Sequence, residues 1–522
     1  MNDWILIIMT LTASVSPLLT FAYLWQVKEW RIDRLREHLR SECFFRQTFG
    51  FTRPLVLGFF GFFPVLRSLG VGGGYLGYLP GWHLLTLATF LAISLLQIIL
   101  RRHPKPVWTK KAITLCSTSL IITLLILIQT TVYNFPFSTF HFPLFPVIQP
   151  FFLALSVMLW KPIDQFLKKR IMNSAKRVRS SRSNLTVIGI TGSVGKSTTK
   201  ELLSHILKNH HLLSTPEHVN TEMGVSQWLI RELPKNPEAE ILIVEMGAYH
   251  TGEIALLCDI VKPTMGVVTF IGKQHIGLFG SQEALCKAKG ELIEAIPEDG
   301  FVFLNADSKM CNKLKDVAKC SVVTVGTGGP IDLEAFEIEE TAHGIEFRVS
   351  DTGFFIPIHG THNVSNVLLA TAIAQKLDMN LTEIAEVLKS YRPATHTFAM
   401  RKHNDVMILD DTHNSSPASF KAALEWSKSQ PFEYKTLLTS GLIELGMEQD
   451  RIHSELGALS SGIFDRVVFL NKKSARNFSS GYGREVETLS KHSNSIPETS
   501  LLVCVGRMSE KSINQLIPKN SN

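Results

Sequence analysis

No two of the seven cysteines stand as a CxxC pair and their number is odd, so the sequence signals neither a zinc ribbon nor a disulfide framework. Thiols so placed are expected to be buried and inert, and they suit a reducing compartment. Charge is scarce. Only 19 % of the 522 residues are Asp, Glu, Lys or Arg against 45 % hydrophobic, which excludes a disordered chain. A mean hydropathy of +0.13 is high for a water-soluble protein and points to membrane-embedded segments. The N-terminal third lacks acidic charge most: residues 1–182 hold 21 Lys and Arg but 6 Asp and Glu, a net +15, whereas residues 183–522 hold 32 and 40, a net −8. No nucleic-acid partner is expected, because such binders carry positive charge on the binding module itself. The length excludes a single small module and implies two or three folding units.

Long apolar runs occupy 5–25, 51–69, 82–100, 113–133 and 143–160, which predicts about five transmembrane helices within a region covering 1–165. The first contains Pro17 and no charge, and it is too long for a bare signal peptide. The connection 101–112 and the exit after Trp160 are rich in Lys and Arg, whereas 70–81 and 134–142 contain neither. The positive-inside rule then places the basic connections in the cytoplasm and the N-terminus outside. Arg53 and Arg67, at the edges of the second run, read as snorkelling anchors. The runs contain no acidic pair or His cluster of the kind a transporter needs. Residues 166–184, basic and Ser-rich, read as a juxtamembrane linker. The expectation is a multi-pass protein of a bacterial cytoplasmic membrane, with its catalytic domains in the cytoplasm.

Residues 185–190 form a short apolar strand, followed by Thr191-Gly192-Ser193-Val194-Gly195-Lys196-Ser197-Thr198-Thr199 and a helical pattern over 200–207. Strand, glycine loop and helix are the context a phosphate-binding loop requires. The glycines let backbone N–H groups turn inward on a polyphosphate, Lys196 can neutralise the β- and γ-phosphates, and the Ser197 hydroxyl can hold Mg²⁺. The spacing departs from GxxxxGK[ST], since position 190 is Ile. A second apolar strand over 239–244 runs into Glu245, at the strand end where parallel α/β sheets collect ligands, so Glu245 is a candidate Mg²⁺ ligand. A third, over 265–270, leads toward His275, and a helical stretch over 282–295 carries Lys289. Taken singly, His275 and Lys289 read as surface residues.

In order along the chain, these elements resemble the Mur ligases, and within that family most closely its MurF branch. The resemblance rests on TGSVGKSTTK at 191–200, EMGAYHTGEI at 245–254, KPTMGVVTFIGKQHIGLFGS at 262–281 and AKGEL at 288–292. It continues through LNAD at 304–307, GTHNVSN at 360–366, DDTHNSSP at 410–417 and GLIELG at 441–446. It implies an ATP-dependent amide ligase in which ATP phosphorylates a carboxylate and the acyl phosphate is attacked by an amine. Such a site needs cations and alignment more than acid or base groups. Carried over, Gly192, Ser193, Gly195, Lys196, Ser197 and Thr198 bind the phosphates, and Ser197 with Glu245 binds one Mg²⁺. His275 holds a second, with a carbamylated Lys289 as bridging anion, so that Lys196, Glu245, His275 and Lys289 are the catalytic set. Asn305, His362, Asn363 and Asn366 match positions near adenine and ribose, and Asp411 meets the ribose.

Four departures accompany the resemblance. Membrane runs stand where the family has a UDP-binding domain. The hinge over 393–398 has no Gly-Arg pair, His413 and Ser416 replace a Tyr and an Asn, and Gly506-Arg507-Met508 stands without Lys-Gly-Ser. The expected fold is α/β: transmembrane helices, a P-loop-type central ATP-binding domain over 185–392 and a Rossmann-like C-terminal domain over 393–522. Alternating strands and helices predict parallel sheets, with C-terminal strands over 406–410, 435–440, 466–470 and 501–505. The leading expectation is addition of D-Ala-D-Ala, a D-amino-acid dipeptide, to a nucleotide- or lipid-linked muramoyl-peptide in peptidoglycan and cell wall biogenesis. The alternatives are a membrane-associated poly-γ-glutamate-type ligase and a non-catalytic nucleotide-binding membrane scaffold. Oligomeric state is not readable from the sequence.

Overall fold

The computed structural model describes residues 3–41, 48–49, 52–58, 82–100, 104–132, 142–272, 279–341, 343–393, 398–412, 415–442, 445, 448–470, 472–490 and 493–518. The chain divides into two compact units, Met1–Lys168 and Lys169–Asn522.

The first unit is helical. Helices Asp3–Val27, Trp82–Ile99, Lys110–Val132 and the start of Phe145–Ser180 are apolar almost throughout, because each buries one side on its neighbours and leaves the other uncovered. Leu87, Phe90, Leu127 and Leu153 are fully buried, while Leu96, Ile121, Leu125, Phe151 and Met158 are exposed. Hydroxyls inside these helices are satisfied locally: Thr10 donates to Leu6 O at 2.7 Å and Ser14 to Thr10 O at 2.8 Å. Three helices, Asp3–Val27, Lys110–Val132 and Phe142–Ser180, are long and apolar enough to cross a membrane, and Leu84–Ile99 is a shorter apolar helix. Among the described residues, three of the five expected spans coincide with these helices and 82–100 with the shorter one. Of the run 51–69, only 52–58 falls within the described residues, and it is helical.

The second unit holds two sheets. Nine strands form the first: β1 (Thr186–Thr191), β2 (Leu212–Ser214), β3 (Ile241–Glu245), β4 (Met265–Val268), β5 (Phe301–Asn305), β6 (Ser321–Gly326), β7 (Leu333–Thr341), β8 (Gly344–Val349) and β9 (Thr352–Ile356), in the order β2-β3-β1-β4-β5-β6-β7-β8-β9. The strands from β2 to β7 in that order pair in parallel, and β7–β8–β9 are antiparallel hairpins that the expected strand–helix alternation did not include. β1 and β3 are buried on both faces, as an interior parallel strand requires. One face is covered by helices Lys196–Ile206 and Asn363–Lys376, the other by helices Glu222–Glu232, Glu253–Val261 and Gln282–Glu294. Fully buried Leu202, Leu292 and Leu368 each contribute about 1.5–3 kcal/mol of hydrophobic stabilisation.

The last turns of helix Phe145–Ser180 also belong to this core. Ala175 is fully buried, and Met172 and Val178 pack beside it. Arg179, 6 % exposed, donates from Nε to Val261 O at 2.8 Å and from Nη1 to Arg182 O at 2.5 Å. Its charge closes the C-terminal end of helix Glu253–Val261, where carbonyls are otherwise unmatched.

The second sheet contains β10 (Ala399–His403), β11 (Val406–Asp411), β12 (Lys435–Thr439), β13 (Arg466–Phe469), β14 (Glu487–Thr488) and β15 (Leu501–Val505), in the order β10-β11-β15-β12-β13-β14. All pairs are parallel except β10 with β11. The four expected strands of this region are present within a residue of their predicted ends. The described cysteines are unpaired, and burial raises the thiols of Cys258 and Cys311 to about 12. The architecture is therefore mixed α/β, preceded by apolar helices.

Candidate active site

The strands that feed the site end together. Ile190 lies opposite Glu245, Thr191 opposite Val268 and Asn305 opposite Val325, so the carboxyl ends of β1, β3, β4 and β5 form one edge. The loop after β1 can close only with glycine. Gly192 and Gly195 have φ of 151° and 86°, and an added Cβ would lie 2.0 Å from Thr269 Oγ1 and 2.3 Å from Asn366 Oδ1 respectively. The Ser193 N–H donates to Phe270 O at 2.6 Å and the Thr269 hydroxyl to Val194 O at 2.5 Å, which pins the loop to the segment after β4. Helix Lys196–Ile206 then begins without a side-chain cap, so its first N–H groups are left for an anion. Lys196 bends over this cradle and donates to Gly192 O at 2.9 Å and Ser193 O at 3.3 Å. Desolvation pulls its pKa down, and Glu245 opposes the shift.

Glu245, 3 % exposed, is held from helix Lys196–Ile206 and from the loop that carries Asn220. Its Oε2 accepts from the Ser197 hydroxyl at 2.8 Å and lies 3.8 Å from Lys200 Nζ, and its Oε1 accepts from Asn220 Nδ2 at 3.0 Å. Burial alone would raise its pKa, but Lys196, Asn220, Lys200 and Ser197 outweigh it and hold the carboxyl below its usual range. Lys200, also buried, donates to Thr215 O at 2.9 Å. Lys289 is 3 % exposed on helix Gln282–Glu294, near enough to Lys196 and Glu245 for their charges to act on it. Burial lowers its pKa to about 7, with Lys196 adding to the effect and Glu253, Glu291 and Glu245 opposing it. The Glu291 carboxylate accepts from the N–H groups of Gly252 and Ala255, which fixes the loop after β3 against this helix.

A cleft open to solvent runs from the glycine loop to the second sheet. Ser193, Gly195, Lys196, Ser197, Thr198, His362, Asn363, Asn366 and Asp411 line it, so most of the expected nucleotide-binding residues come together. Gly192 lies beneath the loop. Asn305 is buried at the end of β5, where its side chain accepts the Asp307 N–H at 3.0 Å, and it is not among the residues lining the cleft. His275 lies outside the described residues, as do 394–397 of the hinge and His413. Among the described residues no group of three or more His, Cys, Asp or Glu is arranged for a metal ion.

Helix Asn363–Lys376 begins without a side-chain cap. Asn363 donates to His359 O at 2.9 Å instead of capping, and Asn366 above it bonds to both Asn363 and Thr199. Opposite, Asp411 ends β11 with 5 % exposure. Burial lifts its carboxyl to about 6 against hydrogen bonds from Ser419 and Ser415, and its Oδ2 is buried without a hydrogen-bond partner. Ser416 caps helix Pro417–Ser429 by a reciprocal pair with Ser419, at 3.1 and 2.9 Å. Sequence reasoning missed Glu201, Glu217, Phe398 and Ser419 in the cleft, and Lys200 beneath Glu245. The available signal was helical spacing: Thr198 and Glu201 share one face three residues apart, as do Ser197 and Lys200.

Comparison with known proteins agrees with this geometry. A family model described as the Mur ligase middle domain matches residues 190–374. The UDP-N-acetylmuramoyl-tripeptide–D-alanyl-D-alanine ligase of Synechocystis sp. is 31 % identical over 320 residues, covering 58 % of this chain and 68 % of its own. The enzyme of the same name from Escherichia coli K12 is 31 % identical over 308 residues, covering 57 % and 67 %. That of Bacillus subtilis is 32 % identical over 295 residues, covering 55 % and 63 %. The chain thus spans about two thirds of the length of these relatives. A crystal structure of MurF from Acinetobacter baumannii superposes with a TM-score of 0.62 at 25 % identity, covering 67 % of this chain and 81 % of that one. MurF from Thermotoga maritima in complex with ADP has the same fold, with a TM-score of 0.57 at 24 % identity over 66 % and 82 %. Shared sequence over most of such a relative, together with the shared fold, makes this chain a member of the Mur ligase family.

Proposed function

We propose that the protein is an ATP-dependent amide ligase that adds D-Ala-D-Ala to a muramoyl-tripeptide precursor in peptidoglycan synthesis. The observation that carries this reading is the pairing of Ser197 with Glu245 at the mouth of a glycine cradle, facing Asp411 across one cleft. The cradle fits a polyphosphate: its glycines admit no side chain, its helix start has spare N–H donors, and Lys196 now bonds to loop carbonyls whose place phosphate oxygens would take. The unmatched Asp411 Oδ2 suits a ribose hydroxyl, with His362, Asn363 and Asn366 along the nucleoside.

Ser197 and Glu245 would hold one Mg²⁺, and His275 a second, a role His275 takes from the family resemblance. Bound there, the ions would neutralise charge as a carboxylate meets the γ-phosphate. Lys289, with its pKa near 7, carries a neutral amine for much of the time at physiological pH, the form that adds CO₂ to become a carbamate. Lys196 would stabilise the charge on the γ-phosphoryl group as it passes from ATP to the carboxylate with release of ADP, and the amine then attacks the acyl carbon, forming the amide as inorganic phosphate and a proton leave. The C-terminal sheet, with five parallel strands and one antiparallel edge, is read as Rossmann-like.

The apolar helices are read as membrane spans, with 1–165 embedded, 166–184 juxtamembrane, 185–392 as the ATP-binding domain and 393–522 as the C-terminal domain. The N-terminus would lie outside and both catalytic domains in the cytoplasm, within reach of a nucleotide- or lipid-linked acceptor. The test is mass spectrometry of ligation by detergent-purified full-length protein with ATP and Mg²⁺, offering UDP-MurNAc-tripeptide with D-Ala-D-Ala beside glutamate oligomers. A product heavier by the dipeptide, absent with Lys196→Ala, is expected. Glutamate extension, or no ligation with either, would overturn the reading.

A further inference from the structure

Among the described residues the interior of the N-terminal unit is largely apolar, and Arg53 brings a guanidinium in among its few hydroxyl and amide groups. Arg53, in the helical segment 52–58, donates from Nη2 to Ser16 Oγ at 3.2 Å and to Gln97 Oε1 at 3.2 Å. Ser16 is 1 % exposed and donates to Gln97 Oε1 at 2.5 Å, and its N–H donates to Ser94 Oγ at 3.2 Å. The Ser94 hydroxyl in turn donates to Ala13 O at 3.0 Å, so the helices Asp3–Val27 and Trp82–Ile99 are stitched together around the guanidinium.

Every group bonded to Arg53 is neutral, and no carboxylate pairs with it among the described residues. Its Nε is buried with no hydrogen-bond partner. A snorkelling anchor would place its guanidinium in water; this one turns inward instead. A charge withdrawn from water into an apolar bundle needs a counterion, and neutral acceptors do not supply one. The guanidinium fork has five N–H donors, and its geometry matches the oxygens of a phosphate. Gln97 lies two residues before the end of its helix, beside the connection that contains Arg101, Arg102, Lys105, Lys110 and Lys111. Leu55, on the same segment as Arg53, is 57 % exposed, so the segment borders the outside of the bundle.

We propose that Arg53, oriented by Ser16 and Gln97, is a phosphate-binding site within the N-terminal unit. The ligand is a phosphate group, carried by the headgroup of a lipid in the leaflet next to the basic connection or by a soluble anion. The inference rests on the reading of this unit as membrane-embedded.

The test uses full-length protein purified in detergent, wild type beside Arg53→Gln and Arg53→Lys. Native mass spectrometry measures retention of added phosphatidylglycerol, with inorganic phosphate as competitor in a parallel arm and ATP binding as the check that each variant is folded. Wild type is expected to retain the lipid at least tenfold more tightly than Arg53→Gln, with Arg53→Lys between them because it keeps the charge and loses the fork. Resistance to inorganic phosphate assigns the site to lipid, and displacement assigns it to a soluble phosphate. Equal retention by wild type and folded Arg53→Gln overturns the proposal; if Arg53→Gln does not fold, equal retention by Arg53→Lys does so. A chain that stays in solution without detergent instead sinks the membrane reading on which the inference stands.

Discussion

Asp411 joins a charge to a cost. Its folded pKa of about 6 lies above the ordinary 3.8, so between those values the folded chain holds a proton that the unfolded chain has released. The stability owed to this group therefore falls as pH rises through that window. Asp411→Asn is neutral throughout. In thermal melts without nucleotide it is expected to be more stable than wild type at pH 8, by on the order of 2–3 kcal/mol, and equal to it near pH 4. The same variant should bind ATP about tenfold more weakly, because a charge-assisted hydrogen bond to the ribose is lost. Titration calorimetry showing unchanged affinity would remove Asp411 from the nucleotide site. Lys200 is the reverse case, a buried cation 3.8 Å from Glu245 whose removal leaves that carboxylate to Lys196, Asn220 and Ser197. Lys200→Met is expected to lose about 3–5 kcal/mol in chemical denaturation, and a loss below 1 kcal/mol would show that Lys196, Asn220 and Ser197 suffice for Glu245.

At the scale of the element, the glycine loop is the most constrained piece of backbone. Gly195→Ala would set a methyl group 2.3 Å from Asn366 Oδ1 at a φ that only glycine adopts freely. It should destabilise the protein by about 1–3 kcal/mol and weaken nucleotide binding by at least tenfold, both readable in melts with and without ATP. This loop was legible in the sequence because its parts are contiguous: an apolar strand, two glycines, then helical periodicity. The β7–β9 hairpins were not read, although Leu333 and Ala335 of β7 and Ile345, Phe347 and Val349 of β8 alternate between buried and exposed neighbours, the mark of antiparallel strands. The start of helix Asn363–Lys376 carries no legible cap signal. The Asn363 amide turns back to His359 O and leaves the helix start to backbone alone. Glu201, Phe398 and Ser419 could not be associated from the sequence, since only folding brings a helix face, the approach to β10 and the first turn of helix Pro417–Ser429 to one cleft.

For the whole molecule, the decisive feature is that the cleft has walls from both sheets. Water must be kept from an acyl phosphate, and an open cleft does not do this. Binding of ATP with both substrates is therefore expected to bring Asp411 and Ser419 toward the glycine loop. Paired spin labels at exposed sites on helices Glu222–Glu232 and Gln449–Ser460 should report a shortened distance; an unchanged distance in the ternary complex would show that closure is not part of the reaction. The apolar helices of the N-terminal unit were legible in outline, since apolar runs need no tertiary information. The inward turn of Arg53 was not, because an arginine at the edge of an apolar run is equally compatible with facing water or protein.

The seating of Arg179 against Val261 determines how the catalytic part can be excised. A fragment begun at Leu185 looks natural on paper, yet it would strip Met172, Ala175 and Val178 from their groove and leave the end of helix Glu253–Val261 without its cation. That helix starts where Glu291 grips the loop beside Lys289, so damage at one end of it would be felt by Lys289 at the other. Fragments intended to keep activity should begin upstream of Met172, and limited proteolysis of the intact chain should spare residues 172–182 while cutting on their N-terminal side.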